Sequence, residues 1–442
     1  MAQPARRARR KTQGAGLLLS LAAAAAGLAC ANVGEPPGGP PDTAPPQVVA
    51  VRPESGAVVA NWKGDAVIQF DEVIDEMAGG GGGGGGGGRA IAGIGKQIVL
   101  SPVAGEVNVS WHRSSIHVKP AEGWKPGRVY RLQLLPGIAD LRRNILKTGR
   151  TVIFSTGPAL PSTTLAGTVL QWVEQRLLVG GAIRAVPAGD TALAYLVLTD
   201  SGGRFRLDAA PPGRYVVYAV QDQNGNRRLD PREAYDSTVV TLDTTATVVL
   251  WTFVHDSVGP RPRAADPVDS LTFRVTFNQP IDPATIPDTA HLKLLALPDS
   301  TPVPVAAVLT PAAYDSLAAR ERAALDSARR AADTSHAARP DTGQRADTTR
   351  RPAPAPVPPR PPGGAPTAPA DTTWRILLRQ RPVPTDKLVV RTVRPLAPAS
   401  RYVVRVRGVR NLNGAAADGG SVLTTPKPVP RDTTKTPPPP KP

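Results

Sequence analysis

Proline and glycine punctuate this chain so densely that long regular elements are excluded from most of it. Proline fixes φ and cannot donate to a sheet ladder, and glycine gives up the most backbone entropy on ordering. With 50 prolines and 42 glycines in 442 residues, over a fifth of the chain, one compact fold is excluded and linkers must join short elements. What stands between the breaks is short and β-branched. In residues 47–157 the runs Gln47-Val-Val-Ala-Val-Arg52, Ala66-Val-Ile-Gln-Phe70, Gln97-Ile-Val-Leu100, Val107-Asn-Val-Ser-Trp111, Ser115-Ile-His-Val-Lys119, Val129-Tyr-Arg-Leu-Gln-Leu134 and Thr151-Val-Ile-Phe154 each read as a strand. Seven such strands with turn signals between them predict an antiparallel β-sandwich. Trp111, Ile116, Val118, Tyr130, Leu132, Leu134, Ile153 and Phe154 are its expected core.

Ten consecutive glycines, residues 79–88, interrupt this unit. No Lys-Ser/Thr follows them and no strand-to-helix turn frames them, so they have no phosphate-loop meaning and read as a flexible insertion. No regular structure is expected over residues 77–95. The acidic cluster Asp71, Glu72 and Asp75 invites a catalytic or metal reading, with a structural turn as the alternative.

A second unit, residues 163–253, carries Leu165-Ala-Gly-Thr-Val-Leu170, Ala182-Ile-Arg-Ala-Val186, Ala192-Leu-Ala-Tyr-Leu-Val-Leu198, Arg204-Phe-Arg-Leu207 and Arg214-Tyr-Val-Val-Tyr-Ala-Val220. Its Gly167, Val169, Thr199, Asp200, Gly203, Phe205, Leu207, Pro212, Gly213 and Tyr215 resemble the pattern of the transthyretin-like (carboxypeptidase regulatory-like) family. That resemblance implies a non-catalytic accessory sandwich.

One loop here has metal-ligand spacing. Counting from Asp222, oxygen-bearing side chains fall at positions 1, 3, 5, 9 and 12, namely Asp222, Asn224, Asn226, Asp230 and Glu233, with apolar Leu229 at position 8. This is the arrangement with which an EF-hand loop wraps calcium. Position 6 is Arg227 where that motif wants glycine, Gly225 stands two residues earlier, and strands flank the loop. Calcium binding is one expectation; a polar hairpin loop whose Asp and Asn bond their own backbone is the other.

The third unit, residues 256–426, echoes the first. Phe277-Asn-Gln-Pro-Ile281-Asp282 repeats Phe70-Asp-Glu-Val-Ile74-Asp75, and Leu396-Ala-Pro-Ala-Ser-Arg-Tyr402 repeats Trp124-Lys-Pro-Gly-Arg-Val-Tyr130. Leu412-Asn-Gly414 and Leu423-Thr-Thr-Pro426 fall where Asn144 and Phe154-Ser-Thr-Gly157 fell. Two copies of one plan predict a second sandwich like the first. Residues 311–373 interrupt it: Ala312 to Ala332 is alanine- and arginine-rich and predicts a solvated helix, and 338–372 is a Pro/Ala/Thr spacer. Strands are expected to resume at Trp374-Arg-Ile-Leu-Leu378 and Lys387-Leu-Val-Val-Arg391. Residues 427–442 form a Pro/Lys/Thr tail, expected to be disordered.

The chain opens with Arg6, Arg7, Arg9, Arg10 and Lys11, then an apolar run from Gly14 to the single cysteine, Cys30. That is the layout of a secretory signal peptide over residues 1–29, too short and alanine-rich for a membrane span. A cysteine directly after the run resembles the signal of bacterial lipoproteins and implies lipidation at Cys30. Gly27-Leu28-Ala29 match that family's pattern only in part, with Ala29 as expected. Residues 30–46 form a Pro/Gly tether. Cys30-Ala31-Asn32, Gly38-Gly39-Pro40, Asp42-Thr43 and Pro45-Pro46 resemble the opening of envelope lipoproteins with an Ig-like domain of the S-layer SbsA type. The Phe-Asp-x-x-Ile-Asp turn at Phe70 to Asp75 fits the same family. The resemblance implies an exported protein, lipid-anchored in the cell envelope at the outer membrane, with the membrane as one partner.

One cysteine forms no internal disulfide, so the folded parts hold by packing. The net charge of +17 is scattered and meets no aromatic-studded basic face, which argues against nucleic acid as a partner. His112, His117, His255, His291 and His336 lack HxxxH or HExxH spacing, and no G-x-S-x-G is present, so an enzyme is not expected. The expected class is all-β, tandem Ig-like and transthyretin-like antiparallel sandwiches in a non-catalytic envelope protein with a structural or binding role. The alternatives are an adhesin that binds carbohydrate or protein, with envelope polysaccharide as one candidate, and an accessory subunit of an envelope hydrolase.

Overall fold

The computed structural model describes residues 42–76, 93–336 and 373–427, the side chains of 332–336 excepted. Cys30 with its signal, the tether up to residue 41, the poly-glycine run, the 338–372 spacer and the tail from 428 lie outside the described residues.

In the first group the strands are β1 (Val48–Arg52), β2 (Ala66–Phe70), β3 (Ile98–Ser101), β4 (Val107–His112), β5 (Ser115–Pro120), β6 (Val129–Leu134) and β7 (Arg150–Ser155). They form two sheets, β1-β2-β5-β4 and β3-β6-β7, joined by a parallel bridge between Val58 and Ser155. Alternation sends Phe70, Ile116, Val118, Tyr130, Leu132 and Phe154 into one core, each fully buried side chain contributing about 1.5–3 kcal/mol. Two expected core residues differ. Ile153 pairs with Arg131 and takes the outward face of β7, while Val152 and Phe154, opposite Leu132 and Tyr130, point inward. Trp111 is only partly buried and packs on the edge of the cluster, its indole N–H donating to the Ile74 carbonyl at 3.1 Å. A 3₁₀ turn, Gly93–Gln97, also forms inside a stretch expected to lack regular structure, with Ile94 buried beneath it.

The second group comprises β8 (Thr164–Gln171), β9 (Arg176–Leu177), β10 (Ala182–Pro187), β11 (Tyr195–Leu198), β12 (Arg204–Asp208), β13 (Gly213–Val220), β14 (Ala234–Leu242) and β15 (Thr245–Val254). The strand order is β11-β10-β13-β14-β15-β8-β12, with β9 on β8. The pairing of β8 with β15 is parallel, a departure from the antiparallel expectation. Gly167 permits it, because a Cβ there would overlap the Val248 carbonyl and the Phe205 ring. The Thr199-Asp200 pair owes its place to backbone capping. Thr199 Oγ1 accepts from Gly181 N at 2.8 Å and donates to Leu178 O at 2.6 Å, and Asp200 Oδ1 accepts from Gly202 N and Arg204 N.

The third group comprises β16 (Pro262–Pro267), β17 (Thr272–Ile281), β18 (Leu292–Ala296), β19 (Thr301–Val303), β20 (Val305–Leu309), α1 (Pro311–His336), α2 (Thr373–Arg379), β21 (Thr385–Thr392), β22 (Arg401–Arg410) and β23 (Ala416–Thr424). Its order, β19-β18-β22-β23-β16-β17-β21-β20, contains β18-β22-β23 and β16-β17-β21-β20. These reproduce β3-β6-β7 and β1-β2-β5-β4, and the parallel contact of Ala265 with Leu423 joins them as Val58 and Ser155 join the first pair. Residues 374–378 are not a strand. The edge of β21 is already taken by β20, which pairs along Val305 to Leu309, so Trp374 to Leu378 have no ladder to join and fold as α2. The helix α1 presents no buried residue over its described side chains and touches the sheet through an Arg391–Glu321 ion pair of 2.7 Å.

Candidate functional site

The loop 222–233 joins β13 to β14, the longest antiparallel pair of the second group, and is closed by its own acids and amides. Asp222 Oδ1 accepts from Gly225 N at 2.8 Å and Asn226 N at 3.2 Å, and its Oδ2 accepts from Arg227 N at 2.7 Å. Asn224 Oδ1 accepts from Asn226 N and Asn226 Oδ1 from Arg228 N. Asp230 Oδ2 receives the side-chain amides of Asn224 at 2.6 Å and Asn226 at 3.0 Å. Glu233 closes the ring: Oε1 accepts from Gln223 N at 2.9 Å. Glu233 as a residue is 5% exposed, and its Oε2 is buried with no hydrogen-bond partner. Asn224, Asn226 and Asp230 meet side chain to side chain, while Asp222 and Glu233 hold backbone amides of the same loop; the three carboxylates do not all bring oxygens within 4.8 Å of one another.

Arg227, the residue in the glycine position, adopts a left-handed φ of +57° as the turn demands. Its guanidinium leaves the loop and donates to the Lys96 and Ile98 carbonyls of the first group. Burial pushes the guanidinium pKa down, and the Asp222 charge opposes that shift. The boundary it enters is polar. Ser101 Oγ donates to Leu196 O at 3.3 Å, and Arg131, 8% exposed on the outer face of β6, is lowered by burial and partly restored by Asp208. A second boundary holds the second group to the third: Trp172 Nε1 donates to Pro382 O at 3.1 Å, and the Arg381 guanidinium lies 5.1 Å from the Trp172 ring and 5.2 Å from Trp251.

The acidic turn at Asp71 is split between roles. Asp71 Oδ1 accepts from Gln47 N at 2.8 Å, a structural task. Glu72 instead meets Asp42 and Asp140, all three offering oxygens within 4.8 Å of one another, the one such carboxylate group among the described residues. Burial raises the Glu72 carboxyl above its ordinary value, followed by the charges of Asp140, Asp42 and Asp71. Asp140 is already spent on Arg142 N, Asn144 N and the Asn144 side chain. Asp75 forms no part of the group.

Sequence spacing gave no reason to join His112 and His117, yet the β4–β5 hairpin brings their rings to 4.3 Å. His117 Nε2 stands 3.3 Å from Ser115 Oγ and its Nδ1 3.6 Å from Asp65 Oδ2. The order resembles a nucleophile, base and acid, but Ser115 is buried and its hydroxyl also donates to His112 O at 3.3 Å, which holds the hairpin turn. The detectable signal was Ser115 and His117 two apart on one strand face. A cleft between Asp200, Arg204 and Leu177 of the second group and Trp374 and Leu377 of α2 has a volume of about 290 Å³.

Residues 42–156 match the bacterial Ig-like domain family. The match covers the first group alone. No curated protein matches the chain. Among solved structures, the N-terminal part of the bacterial S-layer protein SbsC is similar at 13% identity over 39% of this chain and 25% of that one, with a TM-score of 0.21. The major pilin subunit BcpA of Bacillus cereus is similar at 10% identity, over 48% of this chain and 71% of that one, with a TM-score of 0.17. An L,D-transpeptidase from Mycobacterium tuberculosis H37Rv shows 13% identity over 46% and 88%, with a TM-score of 0.15. This chain spans about a quarter of the SbsC fragment, and likenesses this distant assign neither activity nor partner.

Proposed function

We propose that this protein is a non-catalytic envelope protein, exported and lipidated at Cys30, that carries two Ig-like sandwiches and a transthyretin-like sandwich as a structural or binding spacer. The observation that supports it is the way the folded groups are fastened. Arg227 reaches from the second group to two backbone carbonyls of the first, and Trp172 with Arg381 ties the second to the third. These few polar and cation–π ties restrain, without abolishing, the relative motion that small polar boundaries allow, which suits a spacer better than modules on free linkers. The match of residues 42–156 to the bacterial Ig-like domain family fits the same role.

The membrane is the proposed partner through the N-terminal lipid, with an envelope polysaccharide or protein at the far end. Metabolic labelling of the full chain with an alkyne-tagged fatty acid, followed by fractionation, tests the anchor. Label in the wild type and none in Cys30→Ala is expected; an unlabelled wild type released into the soluble fraction overturns it.

A further inference from the structure

The geometry points to a calcium site in loop 222–233, held by Asp222, Asn224, Asn226, Asp230 and Glu233, whose loading fixes the boundary between the first and second groups through Arg227. Spacing alone would leave this a polar turn. Glu233 decides otherwise, because a residue 95% buried whose carboxylate leaves Oε2 buried and unpartnered is costly unless a cation satisfies it. Its other oxygen holds Gln223 N, so the group is directed into the closed loop. The remaining donors are hard oxygens. Asp222 accepts three backbone N–H groups across its two oxygens, and each carboxylate oxygen has two lone pairs. The amide nitrogens of Asn224 and Asn226 now face Asp230 Oδ2 and supply the positive ends that a divalent ion would supply more strongly. Rotating the two carboxamides toward the ion exchanges those contacts for carbonyl oxygens, and Asp230 turns from amide acceptor to ligand.

Arg227 sits inside this loop. Its left-handed backbone, capped by Asp222 Oδ2 on its N–H, sets the direction in which the side chain reaches Lys96 and Ile98. Ordering the loop on an ion therefore orders the arm that crosses the boundary. Arg228 and Arg232 offset part of the charge of the three carboxylates, the Arg227 guanidinium having left the loop, which places the affinity among the weaker sites, with Kd on the order of 10⁻⁴–10⁻³ M. Such a site is loaded where calcium is millimolar. The site stands independently of the lipid anchor.

The test uses the full chain, calcium chloride alone as probe, and the variants Glu233→Gln, Asp230→Asn, Glu72→Gln and Arg227→Ala. Calorimetry should give one site in the wild type and in Glu72→Gln, with at least a tenfold weaker Kd in Glu233→Gln and Asp230→Asn. Glutamine keeps the acceptor for Gln223 N, and a calcium-free melting temperature within a few degrees of wild type shows that the variant folds. Hydrogen exchange should show that calcium protects peptides covering 222–233 and 93–101 together. Arg227→Ala should keep calcium affinity within threefold and lose the protection at 93–101. No heat and no added protection at 5 mM calcium, or binding lost in Glu72→Gln and kept in Glu233→Gln, overturns the site. Calcium protection at 93–101 that persists in Arg227→Ala overturns the coupling.

Discussion

Tyr130 in the first group and Tyr402 in the third each accept a hydrogen bond from the backbone amide five residues upstream, Lys125 and Ala397, both at 2.8 Å. A threonine completes each corner. Thr156 Oγ1 donates to Lys125 O at 2.6 Å and accepts from Arg128 N, and Thr425 Oγ1 donates to Ala397 O at 2.7 Å and accepts from Ser400 N. The next turn is capped in parallel, by Asp140 on Arg142 N and Asn144 N and by Asn411 on Asn413 N and Ala415 N. The outward faces differ. Arg131 on β6 is buried within reach of the Asp208 charge of the second group and Gln133 is half-buried, whereas Arg405, the counterpart of Gln133, is exposed on β22. Backbone capping defines the plan and repeats with few changes, while the surface of each copy is fitted to its neighbour.

That comparison breaks most easily in the cores. Phe70 and Phe277 occupy matching places before the turn, each 2% exposed. Phe70→Ala and Phe277→Ala should each cost about 3–5 kcal/mol. Calorimetry should show each variant lowering its own group's transition. A loss of both transitions in either variant would show one cooperative block in place of two copies.

Thr156→Val and Thr425→Val come next, at about 1–3 kcal/mol each, because valine leaves the Arg128 or Ser400 N–H without its acceptor. Urea unfolding followed by the fluorescence of Trp124, which lies 4.8 Å from Tyr130, reads the first copy. Equal losses in the two copies sharpen the equivalence, and a cost below 0.5 kcal/mol in one copy breaks it. Tyr130→Phe and Tyr402→Phe remove one neutral hydrogen bond while keeping the packed ring, about 0.5–1.5 kcal/mol.

The corners were legible in the sequence because they rest on local chemistry: a proline-bearing turn, a tyrosine at fixed offset and a threonine after a hydrophobic strand. The strand runs of the first group were legible from their β-branched composition and the turn signals between them, whereas the order in which they pair, β1-β2-β5-β4 and β3-β6-β7, was not. Three further things were not. The inward face of β7 is set by the register opposite Tyr130 and Leu132, and Val152-Ile153-Phe154 is apolar at every position, so no alternation marks it. The strand expected at Trp374 fails because β20 had taken the edge some seventy residues earlier, a fact of topology and not of propensity. The metal-like spacing of Asp222 to Glu233 was visible, but the buried state of Glu233 and the reach of Arg227 to Lys96 and Ile98 depend on which unit packs beside the loop.

The smallest expected effect lies between the two copies. His255 stacks on Tyr235 at 3.9 Å and on Phe253 at 4.1 Å. Burial lowers its pKa below 6.5, while the Phe253 carbonyl and Asp236 act in the opposite direction. A histidine whose folded pKa is depressed binds its proton more readily in the unfolded chain, so stability increases with pH across that interval. The contribution is complete above about 6.5 and is lost as pH falls toward the folded value. The transition of the middle group should therefore weaken between pH 7.5 and pH 5.5. His255→Phe retains the aromatic stack without the titrating ring and should remove that part of the pH dependence. The same acid loss in wild type and His255→Phe would assign it to groups shared with the flanking copies, and the middle group would then be no more acid-sensitive than they are.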